Sequence, residues 1–129
     1  MNKTDSLKIH YNTDIESDGS KYLSVILVVN NKRLVDIDKY GIDARALNSS
    51  IKNNGDYFII TCHCGDHGCA GIEKGIKVKI DTEYVYWDIY EPVKHKLKFS
   101  IKDVKAEIEK MNEKIENAKK DGLKITTEN

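Results

Sequence analysis

The stretch "IKVKIDTEYVYWDIY", residues 76–90, carries two apolar faces that have to meet. Ile76, Val78 and Ile80 alternate with Lys77 and Lys79, while Val85, Trp87 and Ile89 alternate with Tyr84, Tyr86, Asp88 and Tyr90. This is the period of two of half-buried strands. Loop length decides the register. A two-residue loop at Asp81 and Thr82 sets Ile80 against Glu83, apolar against charge. A four-residue loop from Asp81 to Tyr84 pairs Ile80 with Val85, Val78 with Trp87 and Ile76 with Ile89. It also places Lys77 opposite Asp88 and Lys79 opposite Tyr86 on the outer face, both tolerable cross-strand pairs. The segment therefore reads as an antiparallel hairpin with one buried face.

The flanking sequence extends this sheet. In "VKHKLKF", residues 93–99, the alternation sends Val93, His95, Leu97 and Phe99 inward and Lys94, Lys96 and Lys98 outward, with Pro92 at the start or on an edge. Ser100 then resembles a helix N-cap with Asp103 in the first turn. Ile101, Val104, Ile108, Met111 and Ile115 follow at helical spacing, predicting a long amphipathic helix that ends near Asp121-Gly122. Little more than two heptads are present, so the stripe is assigned to packing on the domain's own sheet rather than to a coiled coil. The tail "KITTEN" is expected to fray.

Upstream, Leu7, Ile9 and Tyr11 alternate with polar residues, "ESDGS" supplies a turn, and "YLSVILVV", residues 22–29, reads as a central strand covered on both faces. "NNK" turns the chain again. Asp43 is a candidate N-cap for a short helix carrying Ala46, Leu47 and Ile51, and "NNG", residues 53–55, ends it. "DYFIITC" reads as another buried strand. The sum is an α+β fold: an antiparallel sheet of about five to six strands packed against a long C-terminal helix and a short middle helix. One domain spans residues 1–129, with 123–129 as a frayed tail.

Composition excludes little beyond this. The chain is 40% hydrophobic and 33% charged, with 21 basic residues balancing 21 acidic ones, so no global charge pulls it towards nucleic acid or membrane. No apolar run is long enough for a transmembrane helix, and "MNKTDSLKIHYN" lacks a signal-peptide core. These features predict a cytoplasmic protein with no membrane partner. Monomer and dimer both stay open.

The chemistry is concentrated in "TCHCGDHGCAG", residues 61–71, which holds all three cysteines and two of the four histidines. An odd number of cysteines packed into one segment does not make a disulfide framework. Cys62 and Cys64, two apart at a strand end, are expected to point to one side, and Gly65 and Gly68 permit the tight turn that returns Cys69 to them. Zinc takes four tetrahedral sulfur or nitrogen ligands, and three thiolates with one imidazole is a common structural set. His67 is the nearest fourth candidate, giving C-x-C-x2-H-x-C, and an inward His95 is the alternative; His63 points away if the strand continues through it. Two other readings stand beside zinc: cysteines as small buried hydrophobes at a glycine-rich turn, and redox or nucleophilic thiols. No spacing identifies a base for a catalytic cysteine.

The run "YFIITCHCGDHGCAGI", followed by "GIKV" and the Val-x-Trp pattern of "VYW", resembles a family of small, largely uncharacterised bacterial and phage proteins with a T-C-x-C-G-x-x-G-C-A-G signature. The likeness covers roughly residues 56–90, and more loosely the helix after them. It implies no particular activity. In that pattern the position of His67 is not usually histidine, which favours the three cysteines with a partner elsewhere. In size and in lacking catalytic residues, the chain is also similar in type to small phage inhibitors of bacterial defence systems such as anti-CRISPR proteins.

On the outer sheet face, Lys77, Lys79, Lys94, Lys96 and Lys98 are expected to lie among Tyr84, Tyr86 and Tyr90. Cations and stacking rings of this kind can hold a protein partner, an anionic ligand or single-stranded nucleic acid. Lysines on strands equally protect a sheet from edge aggregation. The functional reading is a non-enzymatic protein-interaction module stabilised by zinc, binding a larger protein, with a phage or mobile-element inhibitor of a defence nuclease as its most concrete form. The alternatives are a nucleic-acid-binding domain using the Lys/Tyr face and a thiol-dependent enzyme or redox sensor.

Overall fold

In a computed structural model describing residues 4–128, the chain runs β1 (Leu7–Ile15), β2 (Lys21–Val29), β3 (Lys32–Arg33), β4 (Gly41–Ile42), α1 (Ala44–Ser50), β5 (Gly55–Tyr57), β6 (Ile60–Thr61), β7 (Ile76–Ile80), β8 (Tyr84–Ile89), β9 (His95–Ser100), α2 (Ile101–Lys120) and β10 (Lys124–Ile125). The fold is α+β. The β7–β8 hairpin adopts the register its apolar faces require, with Ile80 opposite Val85, Val78 opposite Trp87, Lys77 opposite Asp88 and Lys79 opposite Tyr86. Asp81 closes the loop. Its carboxylate accepts the Glu83 and Tyr84 amides at 2.8 and 2.7 Å, and these two bonds hold its pKa below the usual carboxylate range.

The expected single sheet is divided. β5-β7-β8-β9 form one sheet, β4-β6 a second, and β1-β2-β10 with β3 on β2 a third. The run "DYFIITC" explains the division, because it is not one strand. Gly55–Tyr57 pairs with β7, Ile60–Thr61 pairs with β4, and the two residues between carry the chain from one sheet to the other. Its apolar character comes from burial in the common core, where Ile59 is fully covered. Asp5 joins the two larger sheets. Its amide donates to the Lys98 carbonyl at 2.7 Å and its carboxylate accepts the Lys98 amide at 2.8 Å and the Asn30 side-chain amide at 2.9 Å.

The first hairpin turns at 16–20, where Glu16 donates its amide to the Ser20 carbonyl at 2.8 Å. Asn30 and Asn31, at φ 51° and 68°, make the next turn into β3, a conformation asparagine tolerates better than most residues. Asp43 caps α1 by accepting the Arg45 and Ala46 amides at 2.9 and 3.3 Å.

Helix α2 buries Val104, Ile108, Met111, Ile115 and Ala118 against strands of both larger sheets, so its stripe is spent within the chain. Ser100 occupies the N-cap position in extended conformation, but its side chain makes no capping bond. Asp103 in the first turn and Lys119 and Lys120 in the last complement the helix dipole. Among the apolar residues of α2 sits Glu107, only 7% exposed. It accepts the Ile9 amide at 2.8 Å, satisfying an outward N–H of edge strand β1, and pairs with Lys110 at 3.3 Å.

Two expectations fail at chain positions where only tertiary contacts decide. Val93 and His95 are exposed, not inward, because the β8–β9 ladder ends at the pair Ile89 and His95, leaving Leu97 and Phe99 as the buried residues of β9. The tail is docked rather than frayed through Glu128, and Asn129 lies outside the described residues. Lys124 and Ile125 run parallel to β2 opposite Tyr22 and Leu23, Ile125 is 3% exposed and Thr127 2%. Truncating Ile125→Ala should therefore cost about 2–5 kcal/mol in urea unfolding; a loss under about 0.5 kcal/mol would be the surface-like value of a tail that contributes nothing.

Candidate metal centre

The cysteine loop begins where β6 ends at Thr61, whose hydroxyl donates to the Cys62 carbonyl at 2.7 Å. Two turns then bring the sulfurs together. In the first, Gly65 donates its amide to the Cys62 carbonyl at 2.9 Å and Cys62 donates to the Asp66 carbonyl at 3.2 Å. In the second, Ala70 and Ile72 donate to the His67 carbonyl at 3.2 and 3.0 Å, and Gly71 to that of Gly68 at 3.1 Å. Buried Ile72 anchors the far end. The convergence of Cys62 and Cys64 thus comes from a turn, since the strand pleat has already ended.

The outcome is that the ligand atoms of Cys62, Cys64 and Cys69 all lie within 4.8 Å of one another. Zinc–sulfur bonds of about 2.3 Å set tetrahedral sulfurs about 3.8 Å apart, so the cluster could hold a metal ion with small adjustment. None of the three cysteines forms a disulfide; Cys62 is half-buried and the other two are exposed. Cys62 is held below the ordinary thiol range, first by the Cys64 backbone amide directed at it and then by hydrogen bonds from Cys69 and Cys64. Cys69 is pushed up to about 11 by hydrogen bonding to Cys62 and Cys64 and by their negative charge. One sulfur of the group is primed as a thiolate, and a further ionisation is opposed by the charge already present.

The histidines stand apart from the sulfurs. His67 stacks on Phe58, centroids 3.5 Å apart, and its Nδ1 lies 2.9 Å from the Ile72 carbonyl, to which it must donate. His63 Nε2 likewise donates to the Ile37 carbonyl at 2.7 Å. His95 stands exposed at the corner of the β9 edge. Among the described residues, none of these joins the three sulfurs.

Sequence reading passed over the group that fixes the loop from behind. Thr127 donates its amide to the His63 carbonyl at 2.8 Å, its hydroxyl donates to the Ile42 carbonyl at 3.2 Å, and its carbonyl accepts Arg45 at 3.1 Å. The threonine holds φ 78°, unfavourable for a β-branched residue and maintained by these contacts. A side chain at Gly65, itself at φ 90°, would run into the Thr127 carbonyl. The alternation of Leu123, Ile125 and Thr127 with Lys124 and Thr126 was the available signal for this docked strand. A cavity of about 450 Å³ adjoins the tail, lined among others by Tyr22, Ser24, Tyr40, His63, Thr126 and Glu128. It borders the loop through His63, but no cysteine lines it.

The second candidate site is also assembled in part. Lys77, Lys79, Tyr84, Tyr86, Lys96 and Lys98 share the outer face of the β5-β7-β8-β9 sheet, with Tyr90 just past β8 and Lys94 in the turn before β9. The face is self-paired. Lys98 Nζ lies 4.0 Å from the Tyr84 ring centre and 5.9 Å from that of Tyr86, and Lys74 covers Tyr90 at 5.1 Å. The Tyr86 and Tyr90 hydroxyls donate to Asp81 and Asp88, each at 3.1 Å. Across the strands, Lys77 stands between Asp56 and Asp88, and Asp88 between Lys77 and Lys96. Among the described residues, no helix is long and apolar enough to cross a membrane.

In metal-free protein at pH 8, iodoacetamide should modify Cys62 ahead of Cys69, and the Cys69 rate should keep rising towards about pH 11, because only the thiolate reacts. Equal rates resolved by peptide mass spectrometry would contradict this ordering. No protein-family model, curated protein or solved structure matches the chain.

Proposed function

We propose that Cys62, Cys64 and Cys69 bind zinc as a structural centre, and that the protein is a non-enzymatic interaction module whose partner is a larger protein. The observation that carries the reading is the mutual approach of three sulfurs within 4.8 Å on a loop braced by both its own turns and the C-terminal tail. Three thiolates this close repel one another, and a divalent cation removes the repulsion; binding then stabilises the fold and releases protons. Soft thiolate donors favour zinc over hard cations such as calcium or magnesium. A thiol-enzyme reading has less support, since among the described residues the atoms that cluster with the sulfurs include no imidazole nitrogen.

For the partner, the outer face of the β5-β7-β8-β9 sheet supports protein over nucleic acid. The Tyr84 and Tyr90 rings are covered by Lys98 and Lys74, and Lys77 and Lys96 stand opposite aspartates, whereas single strands need open rings along a continuous positive track. A mixed-charge face rimmed by tyrosines suits a protein surface of complementary pattern. An inhibitor of a bacterial defence nuclease is the most concrete module of this kind; that choice draws on the resemblance of type.

Protein purified without chelator or immobilised metal should contain about one zinc per chain. EDTA should lower its Tm by roughly 10 °C or more, and Cys62→Ser, Cys64→Ser and Cys69→Ser should each lose the metal together with the response to EDTA. Metal-free protein whose Tm ignores both treatments would overturn the zinc centre. Single-stranded DNA and RNA should show no salt-dependent binding; a salt-sensitive shift that disappears when Lys94, Lys96 and Lys98 are neutralised would reassign the face to nucleic acid.

A further inference from the structure

We infer that the centre is completed from outside the chain: its fourth coordination position opens to solvent and takes a neutral nitrogen donor, an imidazole carried by a second molecule. This rests on the zinc reading above. Each neighbouring donor of the loop has one atom held by the backbone, and none is among the atoms clustered with the sulfurs. His63 Nε2 is bonded to the Ile37 carbonyl, His67 is bonded to the Ile72 carbonyl and stacked on Phe58, and Asp66 Oδ1 accepts the Gly68 amide at 2.8 Å. The Nδ1 bond leaves Nε2 of His67 with its lone pair, but the stack on Phe58 fixes the ring where that nitrogen is not among the atoms clustered with the sulfurs. His95 lies on the edge of a different sheet.

The cluster lies at the surface. Cys62 is half-covered, and Cys64 and Cys69 are exposed, so a metal seated on the three sulfurs lies at the surface, within reach of a donor from solvent. Closed structural sites have four protein ligands, whereas a site with three retains a position for an exchangeable one. Charge selects the donor. Three thiolates and Zn²⁺ carry a net single negative charge; a fourth thiolate or a carboxylate would double it beside Asp66, while imidazole adds none and forms an ordinary zinc–nitrogen bond. A histidine presented by the partner can therefore dock directly on the metal, making the cysteine loop part of the interface.

The test replaces zinc with Co²⁺, whose thiolate charge-transfer bands report the sulfurs and whose visible ligand-field bands report the fourth donor. Imidazole should shift the visible bands saturably and half-saturate at a lower concentration than 2-mercaptoethanol, and His67→Ala and His95→Ala should load cobalt with the same initial spectrum and the same shift. Visible bands indifferent to both added ligands, or altered in either histidine variant, would mean the chain closes its own shell and would overturn the inference. Tighter binding of the thiol would overturn the choice of imidazole. Absence of the charge-transfer bands in the wild-type protein would instead remove the metal centre itself, an outcome separable from the others because it is seen before any ligand is added.

Discussion

The bond from the Thr127 amide to the His63 carbonyl ties the last described residues of the chain to the middle of the cysteine loop. The loop has little core of its own: of residues 62–71 none is fully buried, and its turns alone would leave the sulfurs free to part. Docking β10 on β2 sets Thr126 and Thr127 against the loop, and Gly65 and Gly41 leave room for that approach, since a Cβ at Gly41 would meet the Thr127 methyl at 2.7 Å and the Cys62 carbonyl at 3.2 Å. The arrangement holds only while Ile125 remains in the core. Stability of the fold and geometry of the centre are therefore coupled through one short parallel ladder.

The electrostatics of the loop are poised rather than relaxed. An amide directed at Cys62 favours its thiolate, and that negative charge then opposes ionisation of Cys69. A soft divalent ion, if bound as proposed, would offset this repulsion, and its binding would then add to stability. The same charge count makes an additional anionic ligand unfavourable and a neutral one acceptable.

The outer sheet face shows how similar residues can serve different ends. Lysine and tyrosine in alternation resemble a nucleic-acid platform when only the sequence is considered, but the cross-strand neighbours include Asp56, Asp81 and Asp88. The phenols of Tyr86 and Tyr90 donate to carboxylates, which raises the pKa of both, for Tyr86 chiefly through desolvation and for Tyr90 chiefly through the Asp88 bond. The Tyr84 and Tyr90 rings and the Tyr86 and Tyr90 hydroxyls thus have partners within the face, which mixes both signs of charge.

Local periodicity was enough to determine the β7–β8 register, the first hairpin, the Asp43-capped helix and both ends of α2, because each depends on neighbours close in sequence and on one apolar face meeting another. The crowding of Cys62, Cys64 and Cys69 was legible for the same reason: two glycine turns suffice to return the chain on itself. What only the tertiary structure decided lies where residues far apart in sequence meet. An apolar run such as "DYFIITC" looks the same whether it is one strand or two short ones in different sheets, since burial without alternation carries no register. The inward or outward facing of His95 depended on where its partner strand stopped, and although alternation in 123–127 hints at a strand, its choice of β2 as partner spans about a hundred residues of sequence separation and no local pattern names it.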